Sequence, residues 1–212
     1  MVDFLLLIEN ITDYSKKNID QGNTPFEIYK LCNCIREAFC MSYSIRKQNN
    51  LYFYYEKERV SIKFTGDQLR YLGSDERSQA LLLLKALNMN KSSSKTALKS
   101  WVKSTPGIFI RKFQNTPSFL NDLENITERK FVFIVDPNYF NNHKQLSEKQ
   151  SFEHLKSISE YFYIIPTYPI SENFIQQLKG LKNFQFIDLS QLKRLSDKIL
   201  YINYQIDKFH GL

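Results

Sequence analysis

The stretch Val60-Ser-Ile-Lys-Phe-Thr-Gly-Asp67, followed by Ser74-Asp-Glu-Arg77, Ala80-Leu-Leu-Leu-Leu-Lys-Ala-Leu87 and Ser104-Thr-Pro-Gly-Ile-Phe-Ile-Arg111, sets strand, turn, helix and second strand in series. Val60 to Phe64 alternates apolar and polar residues, as a half-buried strand does, and Thr65-Gly-Asp67 closes it as a turn. Ser74 or Asp75 can cap a helix by accepting from its free N–H groups, and the acidic pair Asp75-Glu76 suits the positive end of the helix dipole. Ala80 to Leu87 is almost wholly apolar, so that helix is buried around most of its circumference. Pro106 and Gly107 predict a type II turn feeding a strand that ends in Arg111 and Lys112.

Upstream, Asp3 to Ile8 predicts a strand, and a polar loop with Gly22 and Pro25 leads to a helix from Phe26 to Cys40. Its residues Ile28, Leu31, Cys32, Ile35, Ala38 and Phe39 follow the helical period and predict a core face. Ser44-Ile-Arg-Lys47 is a polar link presenting two cations before a strand at Leu51 to Tyr55, and Glu56-Lys-Glu-Arg59 turns that strand into Val60 as a hairpin. Downstream, short apolar strands at Phe131–Val135, Tyr161–Ile165 and Phe184–Leu189 alternate with helices, the last from Gln191 to Lys208. That rhythm predicts a parallel sheet covered on both faces, with ligand loops beginning at Asp136, Pro166 and Ser190 beyond the strand ends. Residues 138–150 read as a polar insertion.

The 212 residues suit one α/β domain spanning 1–212. A net charge of +7 and a pI near 9.2 favour an anionic partner such as nucleic acid. Lys91, Lys95, Lys99 and Lys103 recur every four residues across a loop and short helix, either as a track for phosphates or as a solvated face. Cys32 and Cys34 stand on nearly opposite faces of one helix and cannot chelate a metal together, so they predict small core residues in a reducing cytoplasm. His143, His154 and His210 are isolated, and no metal is expected. No secretory signal or membrane span is expected, because the apolar run Phe4 to Ile8 is too short. No glycine-rich dinucleotide fingerprint, phosphate loop or nucleophile elbow is present in the sequence.

The order and spacing of Leu31-Cys-Asn-Cys34, Ala38-Phe39, Ser44-Ile-Arg46, Ile62-Lys-Phe-Thr-Gly66, Ser74-Asp-Glu-Arg77, Lys85-Ala-Leu87, Trp101 and Ser104-Thr-Pro-Gly-Ile108 resemble the archaeal tRNA pseudouridine N1-methyltransferases of the SPOUT class. The resemblance covers Phe26 to Lys112 well and is weaker beyond. It implies a sheet flanked by helices with a C-terminal trefoil knot, a homodimer, S-adenosylmethionine (SAM) as methyl donor, and N1 of the pseudouridine at position 54 in the tRNA T loop as target. On that resemblance Asp75 and Arg77 become catalytic candidates, for orienting or deprotonating the base and for holding it. Arg46, Arg77, Ser104, Thr105, Gly107 and Arg111 become RNA-binding candidates. The structural alternative is that Asp75 caps its helix and Arg77 pairs with a carboxylate.

The cofactor half departs from the family. Where the family carries Gly-Asp-His, this chain has Pro166-Thr-Tyr168. A later loop reads Asp188-Leu-Ser-Gln191 without its proline, and a His-Asn pair appears as Asn203-Tyr204. SAM is expected against strand-end residues Val135, Ile165, Pro166, Ile187, Leu189, Ser190 and Leu192. The alternatives are a noncatalytic RNA-binding homologue whose cofactor pocket has decayed, or an interaction domain unrelated to RNA.

Overall fold

A computed structural model describes residues 2–92, 98–136, 139, 150–152, 155 and 158–211. Among these, nine strands form one sheet: β1 (Val2–Ile8), β2 (Asn49–Tyr55), β3 (Val60–Thr65), β4 (Val102–Thr105), β5 (Ile108–Lys112), β6 (Lys130–Val135), β7 (Gln150–Ser151), β8 (Tyr161–Pro166) and β9 (Gln185–Asp188). Their spatial order is β4-β5-β3-β2-β1-β8-β6-β9-β7. The six strands from β2 to β7 in that order run parallel, as the strand–helix rhythm predicts. The remaining three join as an antiparallel extension. The hairpin expected at 56–59 begins that extension of the parallel sheet, and its cause is local. Hairpin turns at 56–59 and 106–107 reverse the chain without room for a crossover helix.

Helices cover both faces. On one lie α1 (Lys16–Asp20), α2 (Phe26–Phe39), α3 (Glu76–Ser92) and the last helix, α6 (Leu195–His210). They pack on Phe4, Leu6, Phe53, Ile62, Tyr163 and Ile187. The other face carries α4 (Thr116–Ile126) and α5 (Glu172–Lys179), packed on Leu5, Leu7, Tyr54, Phe133 and Ile164. Here Phe119 stacks on Tyr54 with ring centroids 3.8 Å apart. Because β1, β6 and β8 are buried on both sides, they read as unbroken apolar runs.

The predicted core face of α2, Cys32 included, is buried throughout, and Cys34, on the other side of the helix, is buried as well. Burial pushes the Cys32 thiol up to about 12, helped by the nearby Glu76 carboxylate, and raises Cys34 as well. Helix α3 buries Ala80, Leu83, Leu84, Ala86 and Leu87, as its composition predicts. It also runs on through Ser92, so Lys91 ends a helix, Lys99 follows in a turn and Lys103 sits on β4. The lysines therefore do not form one helical stripe, and Lys95 lies outside the described residues. So does most of the insertion at 138–150, with His143 and His154. The middle of the loop before α2 forms α1, capped reciprocally by Ser15 and Asn18, and α6 starts at Leu195 rather than Gln191.

Candidate active site and RNA-facing surface

Two groups of candidate residues gather at opposite ends of the sheet. At the amino end of β1 and β2, three backbone segments interlock. A Cβ on Gly66 would come within 2.5 Å of the Arg46 carbonyl oxygen, and one on Gly107 within 2.5 Å of the Leu69 nitrogen. Gly107 has φ of +80°, as the predicted type II turn requires, and its carbonyl accepts from Thr65 N–H at 2.8 Å. These segments bring Arg46, Thr105 and Gly107 to one place. Ser104 is half-buried beside them and Thr105 is buried.

Asp75 adjoins this end through Gly73, whose carbonyl receives Cys40 Sγ, at the end of α2, at 3.9 Å. Asp75 Oδ1 accepts from Ser78 N–H at 2.8 Å and so caps α3. Its Oδ2 lies over Gly73, where a Cβ would come within 2.5 Å. Arg77 is exposed and pairs with Asp20 at 2.7 Å. Arg46 forks onto Asp207 of α6 with contacts of 2.6 and 2.5 Å. Both structural alternatives, the cap and the ion pair, are thus present. Arg111 stands elsewhere: β5 carries it away toward the hairpin turn, where it bonds Asp122 and the Lys99 carbonyl.

At the carboxyl end, Val135, Ile165, Pro166, Ile187 and Leu189 come together as neighbours, but their side chains are buried in the core. Ser190 and Leu192 are half-buried, and Ser190 N–H bonds Asp188 Oδ1 at 2.9 Å. What opens to solvent is the residue or two after each strand. A cleft of about 490 Å³ is lined by Asp136 after β6, Tyr139, Lys193 to Asp197 at the start of α6, and Phe26, Tyr29, Lys30, Asn33, Arg36 and Glu37 of α2. An adjoining cleft of about 180 Å³ includes Glu9, Asn10, Thr12, Glu27, Lys30, Tyr55, Thr167 and Tyr168. Tyr55 is one of the lining residues, and its buried hydroxyl has no hydrogen-bond partner among the described residues. Asp136, Thr167 and Tyr168 belong to the ligand loops expected beyond the strands, whereas the α2 and α6 residues were not expected here, since only tertiary packing brings those helices to the strand ends.

Three departures from the family have structural explanations. Thr167 N–H donates to Leu7 at 3.0 Å, so alternation turns the Pro166 position toward β6, whose pairing with β8 stops at Ile164. The proline offers no N–H with which that ladder could continue, which accounts for its end at Ile164. Tyr168 donates from its hydroxyl to Glu56, tying the loop after β8 to the β2–β3 turn. Asn203 accepts from Asn49 at 3.0 Å and donates to the Glu37 carbonyl at 2.7 Å, joining α6 to β2 and α2, while Tyr204 is exposed.

A buried ion pair closes the floor. Lys198 of α6 reaches Asp136 at 2.5 Å with its side chain fully enclosed. It pins the start of α6 to the end of β6. Among the described residues there is no cluster of His, Cys, Asp or Glu that could hold a metal, and no helix is long and apolar enough to cross a membrane.

Residues 9–138, more than half of the chain, match the family described as "Putative SAM-dependent RNA methyltransferase". A tRNA (pseudouridine(54)-N(1))-methyltransferase of Methanocaldococcus jannaschii is 33% identical over 113 residues, 51% of this chain and 53% of that protein. The match thus spans about half the length of that relative. The enzyme of the same name from Methanococcus maripaludis strain C5 is 31% identical over 183 residues, 83% of this chain and 82% of its own. The crystal structure of Archaeoglobus fulgidus Nep1 bound to S-adenosylhomocysteine shares the fold, with a TM-score of 0.50 and 11% identity, over 100% of this chain and 99% of that one. On the family match and the long alignment, the chain belongs to the SAM-dependent RNA methyltransferase family.

Proposed function

We propose that this chain methylates N1 of the pseudouridine at position 54 of tRNA, with SAM as donor, as a homodimer in the cytoplasm. The observation that carries this reading is the alignment to the Methanococcus maripaludis enzyme along most of both chains, including the diverged C-terminal part. The clefts fit the donor. Glu9, Glu27 and Asp197 supply acceptors for an ammonium and a ribose diol, Lys30 and Lys193 supply charge for a carboxylate, and Phe26, Tyr29 and Leu195 supply apolar surface for a purine. SAM bound there would supply a methyl group already activated on a sulfonium. The protein's own task is then to position the base and take up its N1 proton. Asp75 Oδ2 is the proposed acceptor, and Arg77 and Arg46 the proposed holds on base or phosphate, with Ser104, Thr105 and Gly107 shaping the loop beside them.

The separation of the two groups supports the proposed dimer. The amino-end ledge and the carboxyl-end clefts are about 20 Å apart, the length of β1 at roughly 3.3 Å per residue. A second copy can bring the ledge of one chain to the cleft of the other. Leu200 and Tyr204 on α6 are exposed apolar residues suited to that contact.

Calorimetry with SAM tests the reading against a homologue that only binds RNA. We expect saturable binding at micromolar concentration, weakened in Tyr55→Phe. A dissociation constant above the millimolar range would support the noncatalytic alternative.

A further inference from the structure

The antiparallel extension carries a row of side chains that the catalytic reading does not use. Pairing places Lys103 of β4 opposite Phe109 of β5, Phe109 opposite Lys63 of β3, and Lys63 opposite Tyr52 of β2. Alternation along each strand sends Ile62, Phe64, Ile108 and Ile110 into the core beneath α3, so this row occupies the other face. There α4 covers Tyr54, and Trp101 meets Tyr52 edge-on at 6.4 Å. Phe109 and Lys63 remain half-exposed and Lys103 is exposed.

The cations of this row are free of direct ion pairs among the described residues. Lys63 Nζ stands 5.2 Å from the Tyr52 ring centroid, and among the described residues it has no carboxylate within ion-pair distance. Burial lowers its pKa, against the raising influence of Asp3, Asp67 and Asp122. Two of those carboxylates are already engaged, Asp3 by Arg129 at 3.0 Å and Asp122 by Arg111. Arg111 also lies over the Phe113 ring at 4.7 Å. A cation, a ring and a second cation across adjacent strands offer a stacking platform between two phosphate contacts. The row is continuous with the Thr105–Gly107 turn that the proposed function sets on the RNA side.

We infer that this sheet face binds an unpaired nucleotide of the RNA substrate, with its base stacked on Phe109 and its neighbouring phosphates on Lys63 and Lys103. The inference rests on the RNA substrate of the proposed function but not on methyl transfer. Its test is binding of a tRNA transcript to the full chain without SAM, across about 50 to 200 mM salt. Phe109→Leu, which keeps apolar bulk but loses the ring, is expected to weaken binding on the order of tenfold. Lys63→Gln and Lys103→Gln are each expected to reduce the salt slope by about 0.7 to 0.9. SAM affinity, measured on the same variants, should stay at the parent value. Affinities within about twofold and unchanged slopes in folded variants would overturn the inference. Lys103 is exposed, so its variant decides the matter even where the others fail to fold. A protein that binds no SAM, yet shows these RNA effects, would sink the methyltransferase reading and leave this one standing.

Discussion

The Asp136 carboxylate and the Lys198 ammonium meet at 2.5 Å inside the protein and join the first turn of α6 to the end of β6. Desolvating both charges offsets much of their attraction, so the pair adds little net stability over a well-packed apolar substitute. Removing one partner is another matter. Lys198→Met leaves a buried carboxylate without its cation and is expected to cost about 3 to 5 kcal/mol in urea unfolding. The double variant Asp136→Leu with Lys198→Met should recover most of that loss, and a double variant no more stable than the single one would contradict this account.

The cations at the amino end differ in how firmly they are held. Arg77 and Asp20 are exposed, so Arg77→Ala should change stability by under about 1 kcal/mol. Arg46 is mostly covered and forked onto Asp207, so Arg46→Ala should also loosen the end of α6. Both variants are expected to weaken tRNA binding and flatten its salt dependence, measured by filter binding at several ionic strengths. Slopes equal to the parent's for both would remove these residues from the RNA surface.

Gly107→Ala tests the interlocked turns. Its φ of +80° disfavours any Cβ, and the added atom would press on the Leu69 backbone. The expected loss is about 1 to 3 kcal/mol, read as a fall in the urea midpoint. An unchanged midpoint would mean the 66–69 turn moves freely, which the interlocking does not allow.

Alkaline stability follows from the buried phenols and thiols. Burial raises Tyr54 to about 12 despite its bond to Thr116, and Cys32 to about 12 as well. An acid whose folded pKa is raised stays protonated in the native state while the unfolded chain releases its proton. The resulting stability is whole below the unfolded value, near 9.0 for the thiol and 10.0 for the phenol, and is lost as pH climbs toward 12. Exposed phenols should ionise near about pH 10 with native dichroism intact, while the buried ones should ionise only as the dichroism is lost at higher pH. Full phenolate ionisation near pH 10 with native dichroism retained would contradict the burial.

Much of this architecture was legible in the residues. The β2–β3 hairpin follows from alternation on either side of a charged turn, and the Gly107 turn from Pro106 before a residue needing positive φ. The strands β6 and β8 stand out as apolar runs, since both their faces are covered. Partnerships between distant segments were not legible. Nothing local to Arg46 announces Asp207, nor does Asp136 announce Lys198, because only the packing of α6 brings them together. The two ends of the sheet illustrate the same point. Because β3 runs antiparallel to β2, its end, with Gly66 and the Gly107 turn packed against it, lies on the amino side of the sheet, away from the late strand ends.

The central claim is transfer of a methyl group to one atom of one nucleoside, and nucleoside mass spectrometry of treated tRNA reads it directly. Incubated with labelled SAM and a tRNA carrying pseudouridine at position 54, the protein should yield N1-methylpseudouridine there, and a tRNA with uridine at that position should gain no label. Label on the uridine-containing tRNA, or none on either despite measurable SAM binding, would contradict the account.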